Sequence, residues 1–86
     1  METTTYNLIR EYGTINKRVD QLGNKWDKKV TLCSWNGKAA LFDIREWSED
    51  GNTCRSGMRL NESELYRLAD LIAEIREERH GNRADD

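Results

Sequence analysis

Asn36-Gly37, set between two runs of strand-forming residues, does most to narrow the folds open to this chain. Both residues tolerate positive φ, as a tight hairpin turn requires. The flanking runs, residues 26–35 and 40–48, are thereby expected to pair antiparallel. The first of them alternates, with Val30 and Leu32 on one face and Lys29, Thr31, Cys33 and Trp35 on the other. Asp50-Gly51 gives a second hairpin signal and leads into a fourth strand over residues 53–60, which ends on Met58 and Leu60. Upstream, residues 6–17 form a first extended stretch whose apolar content is Tyr6, Leu8, Ile9, Tyr12 and Ile15. Its alternation is broken, and Gly13 predicts a bulge or bend. Leu22-Gly23-Asn24 marks the loop that follows. Connections this short imply a four-stranded antiparallel meander.

After the strands comes a helical pattern. Asn61 is a good N-cap, and Glu64 three residues later completes a capping box. Leu65, Leu68, Ala69, Ile72 and Ile75 recur at spacings of three and four, which aligns them on one face, and Leu71 widens that stripe. Arg76 and Arg79 suit the C-terminal end of the dipole, Gly81 is the expected terminator, and residues 82–86 read as a frayed tail. The fold class is therefore α+β: a four-stranded antiparallel β-meander followed by one C-terminal α-helix, with one domain over residues 1–80 and a flexible tail over 81–86. The helical stripe is expected to pack on the sheet first. Contact with a second copy comes next, through Leu68, Leu71, Ile72 and Ile75.

Composition bounds the function. Of 86 residues, 36% are hydrophobic and 35% charged, so the core is thin. A domain this small buries only about 60% of its unfolded surface, and pairing as a homodimer would help it. No apolar run approaches the roughly 20 residues of a membrane span, and the N-terminus lacks the pattern of a signal peptide. The expected location is the cytoplasm, with nucleoid association if the chain is bacterial. Cys33 and Cys54 lack the paired spacing of a zinc or redox motif, and His80 is the single histidine. No metal site, cofactor, catalytic residue or small-molecule substrate is expected. The formal net charge of -2 divides unevenly: residues 1–60 carry ten Lys/Arg against eight Asp/Glu, residues 61–86 four against eight. An acidic helix placed away from a contact face does not prevent polyanion binding there.

One helix covers only one face of a sheet, and the third strand shows how the two faces divide. Phe42 and Ile44 should meet the helix, which turns Arg45 and Trp47 outwards together. Single-stranded nucleic acid needs flat rings that stack on bases and cations that follow the phosphates. Trp35 and Trp47 offer the rings; Lys29, Lys38, Arg45, Arg55 and Arg59 offer the charge. Trp26 shares a face with Val30 and Leu32 and is read as structural. Asp43 and Glu46 fall on opposite faces, which suits pairing with nearby cations better than acid–base chemistry.

Trp35-Asn36-Gly37-Lys38, then Phe42-Asp43-Ile44-Arg45-Glu46-Trp47, then Arg55-Ser56-Gly57-Met58-Arg59-Leu60 leading into a helix, resembles the C-terminal domain of the transcriptional coactivator family called positive cofactor four. Ser34-Trp35-Asn36 ahead of Asp43 to Trp47 is similar to its bacterial, YdbC-type members in particular. The resemblance implies a homodimer whose helices pack together and whose curved sheets cradle single-stranded DNA with little sequence preference. It places the family's hairpin aromatic on Trp35, its hairpin lysine on Lys38, its strand arginine on Arg45, the following aromatic on Trp47 and a basic residue on Arg55. Asn36 and Ser56 stand where eukaryotic members carry further basic residues, which implies weaker and less salt-dependent binding.

A two-residue turn at Asn36-Gly37 would put Trp35 on the face of Phe42 and Ile44. This chain has one more residue between the turn and Asp43 than the eukaryotic pattern. A three-residue loop or one bulge near residues 38–40 returns Trp35 to the face of Arg45 and Trp47. The expected function is single-stranded DNA binding in transcription, replication or repair, with the choice between DNA and RNA open. The alternative is a protein-interaction adaptor using the same open sheet face.

Overall fold

Three inserted residues shape the first strand. In the computed structural model, which describes residues 5–84, β1 (Tyr6–Val19) pairs antiparallel with β2 (Lys25–Trp35). The register slips between Leu8 and Arg10, Glu11 and Gly13, and Thr14 and Asn16, leaving Ile9, Tyr12 and Ile15 without partners. Each slip is a β-bulge that bends the strand and increases its twist. An apolar insertion at every third position also explains the broken alternation of residues 6–17. The bend expected at Gly13 is one of three.

Strand β3 (Leu41–Ser48) pairs with β2 in unbroken register, from Trp26 opposite Ser48 to Cys33 opposite Leu41. Strand β4 (Met58–Leu60) completes a four-stranded antiparallel sheet in the order β1-β2-β3-β4, and the C-terminal helix α1 (Glu62–Ala84) follows. The expected meander and helix are thus the fold. The fourth strand is shorter than expected. Ile44 lies opposite Met58, whereas Trp47 bridges to Cys54, so one extra residue sits between the two pairings. The turn at Asp50-Gly51 is also wider than a two-residue hairpin: Ser48 Oγ accepts from the Thr53 N–H at 3.0 Å, and the Ser48 carbonyl accepts from the Gly51 N–H at 2.9 Å.

Gly57 occupies that slip. A Cβ there would overlap Arg45 Cβ and the Ile44 carbonyl oxygen, and would lie 3.1 Å from Arg45 Cα. Backbone and branch-point atoms cannot swing aside as a side-chain tip can. Gly57→Ala is therefore expected to destabilise the fold by about 1–3 kcal/mol, the usual cost of overpacking. A lowered urea midpoint would register it; an unchanged midpoint would mean that the Gly57 segment lifts off β3 freely.

The helix starts as its sequence requires. The Glu64 N–H donates to Asn61 Oδ1 at 2.8 Å and the Asn61 N–H donates to Glu64 Oε1 at 2.9 Å, which is the expected capping box. The other end departs from expectation. Gly81 does not terminate the helix, which continues to Ala84. A glycine inside a helix costs only about 1 kcal/mol relative to alanine and is not by itself a stop. The remainder of the expected tail, residues 85–86, lies outside the described residues.

The helix also fails to cover the sheet. Only Asn61 separates β4 from α1, so there is no loop to turn the helix back, and among the described residues its backbone approaches β3 and β4. Leu65 and Leu68 are half-buried, whereas Leu71, Ile72 and Ile75 are exposed. Phe42 and Ile44 are half-buried; Phe42 lies opposite Leu60, with its ring 6.1 Å from that of Tyr12. The expected helix-on-sheet core is therefore incomplete within one chain. Among the described residues the buried hydrophobic side chains are Trp26, Cys33 and Trp47.

Candidate nucleic-acid interface

The Trp35 hairpin settles which residues share a face. Extending the pairing of Cys33 with Leu41 leaves residues 36–38 as a three-residue loop. Asn36 and Gly37 take positive φ (54° and 73°), and the Lys38 N–H donates to the Trp35 carbonyl at 3.0 Å. The additional residue is absorbed in the loop as expected. Trp35 consequently joins Asp43, Arg45 and Trp47 on one face.

That face is concave. Trp47 pairs with Asp27, eight residues from Trp35 along β2, or about 26 Å on a straight strand. Yet the two indole rings are 6.3 Å apart and within 11° of parallel. Only a sheet curled lengthwise brings them together, and the bulges of β1 supply that curl. Tyr6, opposite Trp35 on β1, completes the cluster, with its ring 4.6 Å from Trp35 and 4.9 Å from Trp47. Sequence reasoning missed Tyr6 as a site residue, because its partner depends on a register that three bulges conceal.

Asp43 organises the cations. It is 0% exposed; its Oδ1 accepts from Arg45 Nε at 2.6 Å, its Oδ2 accepts from Trp35 Nε1 at 3.3 Å, and Arg59 Nε lies 3.9 Å away. One carboxylate thus holds two guanidinium groups against the same ring: the Arg45 and Arg59 guanidinium carbons are 4.9 Å and 5.0 Å from the Trp35 centroid. Charge-assisted bonds of this kind are the stronger ones, and burial strengthens them further.

The expected outward turn of Arg45 and Trp47 needs correction. They do share a face, but Trp47 is 8% exposed and the Arg45 side chain 9%. Curling places Tyr6 and Trp35 over them. The accessible part of the face includes half-buried Trp35 with exposed Arg59, and exposed Lys38 stands in the loop beside Trp35. Lys29 lies on the same face, its Nζ 3.2 Å from Glu11 Oε1.

Arg55 is not brought to this group. Its guanidinium carbon lies 4.4 Å from the Trp26 ring centroid and its Nε 4.0 Å from Glu46 Oε1, on the opposite face. The one-residue slip at Gly57 reverses the facing of Cys54 and Arg55 relative to that of β4. Glu46 also accepts from Arg18 Nη2 at 2.8 Å, while Trp26 Nε1 donates to Asp20 at 3.0 Å. That bond, helped by the Asn24 and Leu22 amides, holds the Asp20 carboxyl down to about 2. Trp26 is structural, as expected. Asp43 and Glu46 each partner cations on their own face, and Cys33 and Cys54 are free thiols.

The family model described as "Transcriptional Coactivator p15 (PC4)" matches residues 22–71, which include β2, β3, β4 and the first turns of α1. An "Uncharacterized protein" of Treponema pallidum (strain Nichols) is 34% identical over 67 residues, covering 78% of this chain and 74% of that relative. On the family match, which spans more than half of the chain, the protein belongs to the Transcriptional Coactivator p15 (PC4) family.

Proposed function

We propose that the concave face binds single-stranded DNA with little sequence preference, in transcription, replication or repair. The family is one of nucleic-acid-binding, non-enzymatic domains. The observation that carries the proposal is the half-open Trp35 ring with two guanidinium groups set against it. A base stacks on the indole; Arg59 and Lys38, both exposed, and Lys29 at the rim take the phosphates. Arg45 and Trp47 support the platform from beneath. Arg55, engaged with Trp26, is left to the fold.

The binding unit in this proposal is a homodimer. Ile9, Tyr12, Ile15 and Met58 on the strands and Leu71, Ile72 and Ile75 on the helix are exposed in one chain. So much exposed apolar surface beside so small a core is best explained by a second copy packed on it.

Tryptophan fluorescence titrated with oligothymidine tests the proposal. Quenching is expected, with an affinity that falls as salt rises. Trp35→Ala should weaken binding about 5- to 150-fold, the equivalent of one lost stacking contact of about 1–3 kcal/mol. RNA and duplex competitors at equal concentration rank the ligands. Absence of binding at low salt would refute the proposal.

A further inference from the structure

The convex face carries cations that the concave interface leaves aside. Residues paired across strands point the same way. Trp26 and Lys28 therefore share this face with their partners Arg18, Ser48 and Glu46, and Arg55 joins them over the Trp26 ring. Arg18, Lys28 and Arg55 surround the Glu46 carboxylate, while nearby Asp20 is engaged with Trp26 Nε1 and the Leu22 and Asn24 amides. Glu46 orients these cations without saturating them. It accepts from Nε and Nη2 of Arg18 and lies 4.0 Å from Arg55 Nε. A guanidinium has five N–H donors, so the larger part of each fork still faces outwards, on side chains 38% and 51% exposed. The cluster also lies clear of the helix. Lys28 is four residues along β2 from Leu32, the partner of Phe42, a distance of about 13 Å, and α1 does not approach β2 among the described residues.

At this end of the sheet a cleft of about 400 Å³ joins the two faces. Lys17, Val19, Lys25 and Asp27 line it from the concave side, since they share the parity of Trp47, and Arg18 lines it from the convex side. Glu49 completes it, with its Oε2 3.4 Å from Lys25 Nζ, so a polyanion passes here without being anchored. The chemistry beyond the cleft suits a phosphate backbone and not a base. Trp26 is 8% exposed, Arg55 covers its ring and its N–H is engaged with Asp20, so no surface is open for stacking. Two guanidinium forks and an ammonium are what phosphate oxygens require. Because the cleft is continuous with the concave face, the polyanion that reaches these cations is the strand already held there.

We infer that a nucleic-acid strand bound to the concave face leaves it past Lys17 and Lys25, crosses the end of the sheet and lays its backbone on Arg18, Lys28 and Arg55. The inference rests on the concave face being the nucleic-acid interface, and it gives Arg55 a use beyond the fold. An oligothymidine length series titrated against wild type, Lys28→Gln and Lys28→Gln/Arg55→Gln tests it. Neither position belongs to the concave face, so the shortest strands that bind should bind all three proteins equally. As strands lengthen, the ratio of wild-type to double-variant affinity should rise to about 2- to 30-fold, as two exposed ion pairs warrant. The slope of log affinity against log salt should become shallower in the double variant by about 1.4, or about 0.7 per lost phosphate contact. The concave face of a second copy also favours long strands, but equally in all three proteins, so the ratio isolates the convex cations. Lys28→Gln alone, within an unbroken strand pairing, keeps the test readable where Arg55→Gln loosens Trp26. In the unaltered protein the Arg18 and Arg55 Nε–H resonances should move with long strands and stay in place with short ones. A ratio of one at every length, a loss equal at all lengths, or guanidinium resonances that ignore long strands overturns the inference. Failure of every strand to bind removes the concave interface itself, and the inference with it.

Discussion

Replacing Asp43 with alanine should destabilise the fold by about 3–5 kcal/mol, a large share of what a domain of this size possesses. The carboxylate is fully buried and has Arg45, Arg59 and Trp35 as partners. Removing it leaves the Arg45 guanidinium, itself only 9% exposed, without its counter-charge inside the curl of the sheet. An uncompensated buried charge is among the most destabilising changes a small protein can suffer. Asp43→Asn keeps an acceptor for the Trp35 indole but supplies no charge, so it should fall between alanine and wild type. Urea unfolding measures the ranking, and near-ultraviolet circular dichroism reports whether Trp35 and Trp47 stay ordered. Equal stability of all three proteins would mean that Asp43 does not anchor the face. Oligonucleotide binding should fall with Asp43→Asn even where the chain still folds, because Arg59 and Trp35 lose their common tether.

Replacing Leu71 and Ile75 together with glutamate separates a chain that works alone from one that works in pairs. Both side chains are exposed in the single chain, at 38% and 53%. On a monomer the double substitution touches little and should change stability by less than about 0.5 kcal/mol. In a symmetric dimer each position occurs twice, and each buried Leu or Ile is worth about 1.5–3 kcal/mol. Four such losses, with charges added to the interface, would dissociate most two-fold dimers at micromolar concentration. Sedimentation of wild type at twice the 10.1 kDa chain mass, and of the variant at one chain mass, is the expected result. A wild type that sediments as one chain, or a variant that remains paired through the helix, removes the helix-packed dimer.

The features legible from sequence were those set by local chemistry. Asn61 with Glu64 forms its capping box because both partners lie within one turn. Asn36-Gly37 forms its positive-φ turn for a similar reason, and counting residues from Trp35 to Asp43 called for one extra residue near 38–40, as a loop of three or a bulge; the structure has the loop. The features that stayed hidden depend on insertions whose effect is felt far along the chain. Ile9, Tyr12 and Ile15 look like noise in a strand pattern, although together they curl the sheet and bury Trp47. Arg55 has the parity of Arg59, and simple alternation gives both the same face until the slip at Gly57 intervenes. Tyr6 needed the register of a strand paired across three bulges. The helical stripe identified an apolar face but not what covers it, since period alone does not distinguish a sheet from another molecule.

The bulges of β1 have a second effect, on the outer margin of the sheet. Among the described residues β1 has a single neighbour, so one edge of its 14 residues faces away from the sheet. A long straight edge with exposed amides and carbonyls is a template onto which any extended segment can add, and unchecked addition leads to aggregates. Here an inserted residue interrupts the hydrogen-bonding rhythm three times, so an incoming strand meets no run of matched donors and acceptors longer than a few residues. The irregularity that shapes the inner surface therefore also guards this edge against the addition of a further strand.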